Sequence, residues 1–414
     1  MANTSTDILA AIDAGSSKVL CVIARPAASR DGTFKVLGFG RVPSQGIKNG
    51  IVYDVEKAVF SVRMALQEAQ STAGVSVRNV WVAIGGSKLS SANCRGVAVL
   101  RGREVRQEDV TEAKHNAKDH CDKLAGDRAV LKILSQGYTV GEAVGCKNPL
   151  GLTGESIELE AHAVYGDHAS ADNLRSTIQR AGVEIVDYYP HPWASARAVT
   201  RPDDNECGVA VIDLGADTTS FTVHTEGFIR YTDVIPWGAQ FFTKDLASVL
   251  DITIEQAEEV KLLRGTCLPE TVNDWESVVP TPEAGRRQRA YSRRLMATVL
   301  KARADEFLRH YRELLETRGD YGRIRTIVLT GGGANLTGLD ERARTIFPGK
   351  AVRIGLPNNI EGAPQLINQP EASVVMGLIA EAGDTLAGKS DKGLSNISAS
   401  GFFHNLKNAF IGDY

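Results

Sequence analysis

Ile8-Leu9-Ala10-Ala11-Ile12-Asp13-Ala14-Gly15-Ser16-Ser17-Lys18 runs straight into Val19-Leu20-Cys21-Val22-Ile23. One apolar run enters a turn of Asp, Gly and Ser and a second leaves it. This predicts a β-hairpin whose tip carries an acid, a glycine, two hydroxyls and an amine. Glycine lets the backbone turn tightly, so successive N–H groups can point at one place, and such a nest suits a phosphate. Asp13 does not favour a bare phosphate, but it can hold the hydration shell of a Mg²⁺ riding on one. Taken alone the pattern is weak, because similar turns close ordinary hairpins.

The pattern returns. Val209-Ala210-Val211-Ile212-Asp213-Leu214-Gly215-Ala216-Asp217-Thr218-Thr219-Ser220 is again an apolar strand, Asp-x-Gly and hydroxyl residues, and Phe221-Thr222-Val223-His224 leaves as a second strand. Similar hairpins in the two halves predict duplicated lobes facing one ligand. Two loops gripping one polyphosphate from opposite sides need that arrangement.

The 414 residues exceed one ordinary core, so two or more lobes are expected. A net charge of −3 gives no bulk drive towards nucleic acid. The cysteines (Cys21, Cys94, Cys121, Cys146, Cys207, Cys267) are scattered without a C-x-x-C pair. That argues against zinc ligation and a disulfide framework and fits a reducing cytoplasm. The N-terminus lacks a basic region and a long apolar run, so no signal peptide is expected. No window approaches the roughly 18 apolar residues of a spanning helix.

In chain order, residues 34–40 read as a strand, Val55 to Thr72 as a helix with Val59, Val62, Met64 (less well placed), Leu66 and Ala69 on one face, and residues 80–84 as a buried strand. From Ser87 to His162 the texture changes to a small α+β insertion. Residues 241–250 and 253–264 read as helices, Tyr291 to Thr317 as a long arginine-dense helix, and residues 325–330 as a strand stopping at Gly331-Gly332-Gly333. Glycines there allow close approach to a base or ribose. Neither G-x-x-x-x-G-K-[ST] nor a G-x-G-x-x-G opening a helix after the first strand is present, which disfavours P-loop and Rossmann folds.

Asp13 to Lys18, Asp213-Leu214-Gly215 with Thr218-Thr219, and Leu329-Thr330-Gly331-Gly332-Gly333-Ala334 resemble, in order and spacing, the two phosphate motifs and the adenosine motif of the actin-like ATPases. More specifically, the chain resembles the FtsA family of bacterial cell division proteins over nearly its full length. Gly46 to Val52, Leu134 to Tyr138, Asn148 to Gly154 and the position of the insertion carry that resemblance.

The resemblance implies an α/β, two-lobed actin-like (ribonuclease H-like) fold with four subdomains. Subdomain 1A would take residues 1–86 and 164–205, with subdomain 1C, of the SHS2 type, inserted at 87–163. Subdomain 2A would take 206–226 and 318–383, and 2B would take 227–317. It also implies ATP and Mg²⁺ in the cleft. Asp13 and Asp213 would organise the metal through water. Gly15, Ser16, Ser17, Lys18, Gly215 and Thr218 would hold phosphates, Glu258 and Lys261 would reach the adenosine, and Gly332 and Gly333 would pack under the nucleotide. Two departures stand out. Relatives have glycines where this chain has Ala216 and Asp217; Ala216 would be strained at φ > 0, and Asp217 would bring negative charge towards the phosphates. His191 stands where filament-forming cousins such as MreB carry a water-orienting acid. ATP binding with weak or undetectable turnover, and no catalytic residue, is therefore expected.

Residues 384–400 read as a flexible linker. In residues 401–414, Phe402, Phe403, Leu406, Ala409 and Phe410 fall on one helical face, with Lys407 among the polar residues of the other. At about 1.5 Å per residue such a helix cannot cross a bilayer of roughly 30 Å. It can lie in the interface through Phe402, Phe403, Leu406, Lys407 and Phe410, each ring contributing about 1.5–3 kcal/mol at most. Firm attachment then needs many tails on one polymer. By resemblance, Arg303 and, more loosely, Arg294 would receive the C-terminal peptide of the tubulin-like FtsZ. The implied role is an ATP-bound polymer subunit at the division septum. It would tie FtsZ filaments to the cytoplasmic face of the inner membrane and recruit later division proteins through the insertion. The alternatives are a sugar-kinase-like phosphotransferase of the same superfamily, which needs a catalytic acid in the cleft, and a pilus-assembly relative without the tail.

Overall fold

The computed structural model describes residues 8–27, 32–282 and 289–387. β1 (Leu9–Ala14) and β2 (Lys18–Pro26) form the expected antiparallel hairpin, with Ala14 opposite Val19. β3 (Phe34–Pro43) pairs antiparallel with β2. A two-residue Asn49-Gly50 turn then joins β4 (Ile47–Lys48) to β5 (Ile51–Val52). Both turn residues have positive φ, 50° and 69°, which is why an Asn-Gly pair sits there. α1 (Val55–Ala73) starts where the Asp54 side chain accepts the Lys57 N–H and stops at Gly74, φ 68°. Val59, Val62, Leu66 and Ala69 are buried on it, as their spacing predicts, whereas Met64, off that spacing, is exposed. β6 (Asn79–Ile84) lies parallel to β1.

The insertion comprises β7 (Ser90–Val99), α2 (Gln107–Ala125), β8 (Ala129–Val140), β9 (Ala143–Cys146) and β10 (Ser156–Gly166). Its sheet runs β7-β10-β8-β9, and α2 packs on it so closely that a Cβ at Gly96 would sit 2.1 Å from the Ala113 carbonyl oxygen. Here the cysteine reading is corrected. Cys94 on β7 and Cys121 on α2 form a disulfide, 27 positions apart in sequence but with Cα atoms 5.7 Å apart. Sequence spacing carries no sign of this pair, because the packing of α2 on β7 creates it.

α3 (His168–Arg180), β11 (Glu184–Pro190), α4 (His191–Val199) and α5 (Pro202–Cys207) lead into the second lobe. There β12 (Val209–Leu214), β13 (Thr219–Thr225) and β14 (Phe228–Ile235) form an antiparallel meander. α6 (Gln240–Leu250), α7 (Ile254–Arg264), β15 (Ser277–Val278), β16 (Tyr291–Ser292) and α8 (Arg293–Thr317) follow. β17 (Thr326–Thr330), α9 (Leu339–Ile346) and β18 (Ala351–Ile354) complete the lobe. The chain then returns through β19 (Ile360–Glu361), α10 (Pro364–Ile367) and α11 (Ser373–Leu386).

Apart from the edge strand β19, the two large sheets are topological copies. One runs β11-β6-β1-β2-β3-β19 and the other β18-β17-β12-β13-β14. In each, a meander of three strands is extended by two parallel strands on the side of its first strand. α4 and α11 lie between the sheets, so close that a Cβ at Gly377 would meet the Ala194 carbonyl oxygen at 1.7 Å. Leu9 and Trp81 from one sheet, Val211 and Val328 from the other, and Met376 and Ile379 of α11 share a single core. That shared core sets the two hairpin tips face to face.

The insertion also touches the second lobe. Ser91 Oγ donates to the Thr232 carbonyl at 2.6 Å, Gln136 Nε2 to the Ile229 carbonyl at 2.5 Å, and His162 Nε2 lies 2.9 Å from Thr232 Oγ1. α11 runs to Leu386, past the expected start of the linker at 384, because Asp384 pairs with Arg197 at 2.7 Å and Thr385 bonds the Tyr189 hydroxyl. The tail at 401–414 lies outside the described residues. Among the described residues no helix is long and apolar enough to cross a membrane.

Candidate functional site

The hairpin tips of β1–β2 and β12–β13 are built alike. In the first, the Gly15 N–H donates to the Lys18 carbonyl at 3.1 Å; in the second, the Gly215 N–H donates to the Thr218 carbonyl at 3.0 Å. Neither glycine has a positive φ. The demand on them is close approach: an added Cβ would come within 3.1 Å and 2.8 Å of those same carbonyl oxygens. Both tips open on one cavity of about 620 Å³, within the range that small-molecule sites occupy.

All twelve residues expected to bind nucleotide line this cavity: Asp13, Gly15, Ser16, Ser17, Lys18, Asp213, Gly215, Thr218, Glu258, Lys261, Gly332 and Gly333. Of the three glycines after β17, Gly331 has φ 81° and a Cβ there would fall 2.2 Å from Asp213 Oδ1. A Cβ at Gly333 would fall 2.4 Å from Leu214 Cγ. Gly332 has room, its nearest neighbours being Lys18 Nζ at 3.6 Å and Glu371 Oε2 at 3.7 Å. Close packing against the end of β12 therefore requires two of the glycines, and the third faces the space.

The electrostatics centre on the two aspartates. Asp213 is 3% exposed, and its Oδ2 has no hydrogen-bond partner. Burial pushes its carboxyl pKa upward, the nearby His191 opposes the rise, and Asp13 adds to it. His191 sits between the pair, Nε2 at 3.8 Å from Asp13 Oδ1 and Nδ1 at 3.8 Å from Asp213 Oδ2, with Nδ1 also 3.1 Å from Ser220 Oγ. A buried carboxylate oxygen that receives no hydrogen bond, beside a second carboxylate, suits a hydrated divalent cation.

On α7, Lys261 Nζ pairs with Glu258 Oε2 at 2.6 Å and donates to Thr243 Oγ1 at 2.8 Å, while Thr243 also bonds Glu258. The Lys261 side chain is only 10% exposed, so this is not a solvated surface pair. The first departure noted in the sequence, at Ala216 and Asp217, takes a definite form in the structure. Ala216 is not in the left-handed region, and its carbonyl accepts the Gln240 N–H at 2.8 Å. Asp217 turns its carboxylate to the Asn49 N–H at 2.9 Å. Sequence reasoning missed Glu371, which lines the cavity and pairs with Lys18 at 3.3 Å and Arg41 at 2.7 Å. No local pattern announces a contact spanning 353 positions.

Arg303 and Arg294 lie on α8, away from the cavity lining. Arg303 holds Asp245 at 2.6 and 3.0 Å and Glu306 at 2.7 Å; Arg294, half-exposed, contacts Asp274.

Two family models match the chain. That for the cell division protein FtsA covers residues 210–377, and that for the SHS2 domain inserted in FtsA covers residues 86–165. Cell division protein FtsA of Pseudomonas aeruginosa is 32% identical over 376 residues, spanning 91% of this chain and 89% of that protein. The chain belongs to the FtsA family. FtsA of Escherichia coli is 30% identical over 384 residues, covering 91% of this chain and 90% of the relative. The family is one of cell division proteins, and this chain's place in division follows from its membership. Solved structures of the same fold include a PilM–PilN type IV pilus biogenesis complex (TM-score 0.65, 16% identity, 91% of this chain and 98% of that one). MreB5 of Spiroplasma citri bound to ADP is another (TM-score 0.54, 13% identity, 92% and 99%). These neighbours place this chain in the actin-like fold, with the inserted SHS2 domain as its addition.

Proposed function

We propose that this chain binds ATP with Mg²⁺ between its lobes and, as a polymer, ties FtsZ filaments to the cytoplasmic face of the membrane at the division site. The observation that carries the reading is the convergence of two like-built hairpin tips and the Gly331–Gly333 turn on one cavity. Asp13 and Asp213 would hold the cation through water, and Lys18 with the N–H groups of both tips would hold the phosphates. Glu258 and Lys261 would stand at the adenosine, with Gly332 and Gly333 beneath it. When bound, Mg²⁺ offsets the charge of the phosphates. His191 occupies the space between the aspartates with Nδ1 beside Ser220, which favours retention of nucleotide over turnover.

The membrane contact would come from Phe402, Phe403, Leu406, Lys407 and Phe410. Arg303, with Arg294, would meet the FtsZ C-terminal peptide, and the insertion would receive later division proteins. Co-sedimentation of the full chain with anionic vesicles, Mg-ATP and FtsZ tests this. FtsZ is expected to pellet with vesicles only when this chain and its last fourteen residues, 401–414, are present. FtsZ pelleting equally without the chain would overturn the proposal.

A further inference from the structure

We infer that Asp217 is the latch of a strap closing the cleft over both phosphate loops. This rests on the nucleotide reading of the cleft and adds a gate to it.

The strap is the β4–β5 hairpin, and its Asn49-Gly50 tip touches both jaws. The Gly50 N–H donates to Ser16 Oγ of the first loop at 3.0 Å. The Asn49 N–H donates to Asp217 Oδ2 of the second loop at 2.9 Å. The Ser87 N–H donates to the Asn49 carbonyl at 3.2 Å. Positive φ at both tip residues turns the two N–H groups outward from the hairpin, one to each loop.

The strap is anchored in the first lobe. Ile47 and Val52 are buried together with Ala58 of α1, and a Cβ on Gly50 would come within 2.8 Å of Gly86. Asp217 is anchored in the second lobe, where the Ala239 and Gln240 N–H groups hold the carbonyls of Gly215 and Ala216 at 2.8 Å. Any separation of the lobes at the phosphate end must therefore break the Asn49–Asp217 bond. Its acceptor is a carboxylate oxygen, and a backbone N–H donating to a carboxylate makes a stronger hydrogen bond than one between neutral groups. A glycine at position 217 has no side-chain group to accept it. The carboxylate that would repel phosphate is instead directed at the strap.

A gate changes passage in both directions. Without the latch, nucleotide leaves faster and enters faster, and Kd moves less than either rate.

Stopped-flow fluorescence with a methylanthraniloyl-ATP analogue and Mg²⁺ on the full chain reads both rates. Asp217→Ala is expected to release the analogue about tenfold faster, equivalent to about 1.4 kcal/mol, and to bind it faster too. Asp217→Asn keeps an accepting oxygen and falls between. Hydrogen exchange of the peptide containing residues 47–53, measured without nucleotide, is expected to quicken in Asp217→Ala. Wild-type rates in Asp217→Ala, or faster release with unchanged association, would overturn the gate. If the wild-type chain binds no analogue, the nucleotide reading fails. The amide exchange then still decides the latch: quicker exchange in Asp217→Ala supports it, and equal exchange overturns it.

Discussion

Substituting Gly331 by alanine should damage the cleft from behind, and the structure gives the size of the effect. Gly331 has φ 81° and ψ 169°, a region essentially reserved for glycine. Holding a residue with a Cβ there costs about 1–3 kcal/mol. The new methyl would also lie 2.2 Å from Asp213 Oδ1 and 2.7 Å from the Leu214 carbonyl oxygen. The carbonyl belongs to β12 and cannot swing away, so overpacking adds about 1–3 kcal/mol. The sum, roughly 2–6 kcal/mol, is a large share of the roughly 5–15 kcal/mol that holds a domain folded. Urea unfolding followed by far-ultraviolet circular dichroism is the assay, with Gly332→Ala as the matched control. A Cβ at Gly332 meets nothing nearer than 3.6 Å, and its φ is not positive, so its midpoint should stay close to wild type. Gly331→Ala should unfold at clearly lower urea and lose Mg-ATP binding through displacement of the Asp213 carboxylate. Equal midpoints for the two variants would refute the packing account of this turn.

Other expectations follow from the insertion and the shared core. Lys132 of the insertion pairs with Asp187 of the first lobe at 2.8 Å and lies 4.1 Å from the centre of the Tyr189 ring. Lys132→Met should cost about 3 kcal/mol by stranding the Asp187 charge, and adding Asp187→Asn should recover most of it in denaturant unfolding. Burial holds the His162 pKa down at about 3, from an ordinary 6.5. The unfolded chain then binds the proton more readily, so His162's contribution is complete above pH 6.5 and is lost as pH falls towards 3. At pH 5 the loss is about 2 kcal/mol, and His162→Gln should flatten that slope. Glu381 runs the other way, since burial raises its pKa from 4.5 to about 7 against the opposing pull of Arg197. Its contribution is complete below pH 4.5 and lost as pH rises through 7, and Glu381→Gln should remove that dependence in the same titration. Deleting residues 401–414 should leave a folded protein that no longer sediments with liposomes, and unchanged sedimentation would contradict the tail's proposed role.

The parts legible in the sequence are those written locally. Asp13 and Asp213 each follow an apolar strand and precede a hydroxyl-bearing turn, and that repeat alone implied the duplicated sheets. The apolar spacing of Val59, Val62, Leu66 and Ala69 marked the buried face of α1. What stayed hidden depends on tertiary placement. Glu371 reaches Lys18 only because α11 packs on α4 between the sheets, and Cys94 meets Cys121 only because α2 lies on β7. Asp217 looked like a liability beside phosphate until the strap supplied its partner. The contacts of Ser91, Gln136 and His162 with β14, which seat the insertion against the second lobe, have no periodicity to betray them.

The central claim is that the two hairpins hold one nucleotide between them, and titration calorimetry of Mg-ATP into the full chain tests it most directly. The account predicts saturable binding at one site in the wild type, and strong weakening by Lys18→Ala in one jaw and by Asp213→Asn in the other. Absence of binding by the wild type, or binding untouched by both substitutions, would contradict it.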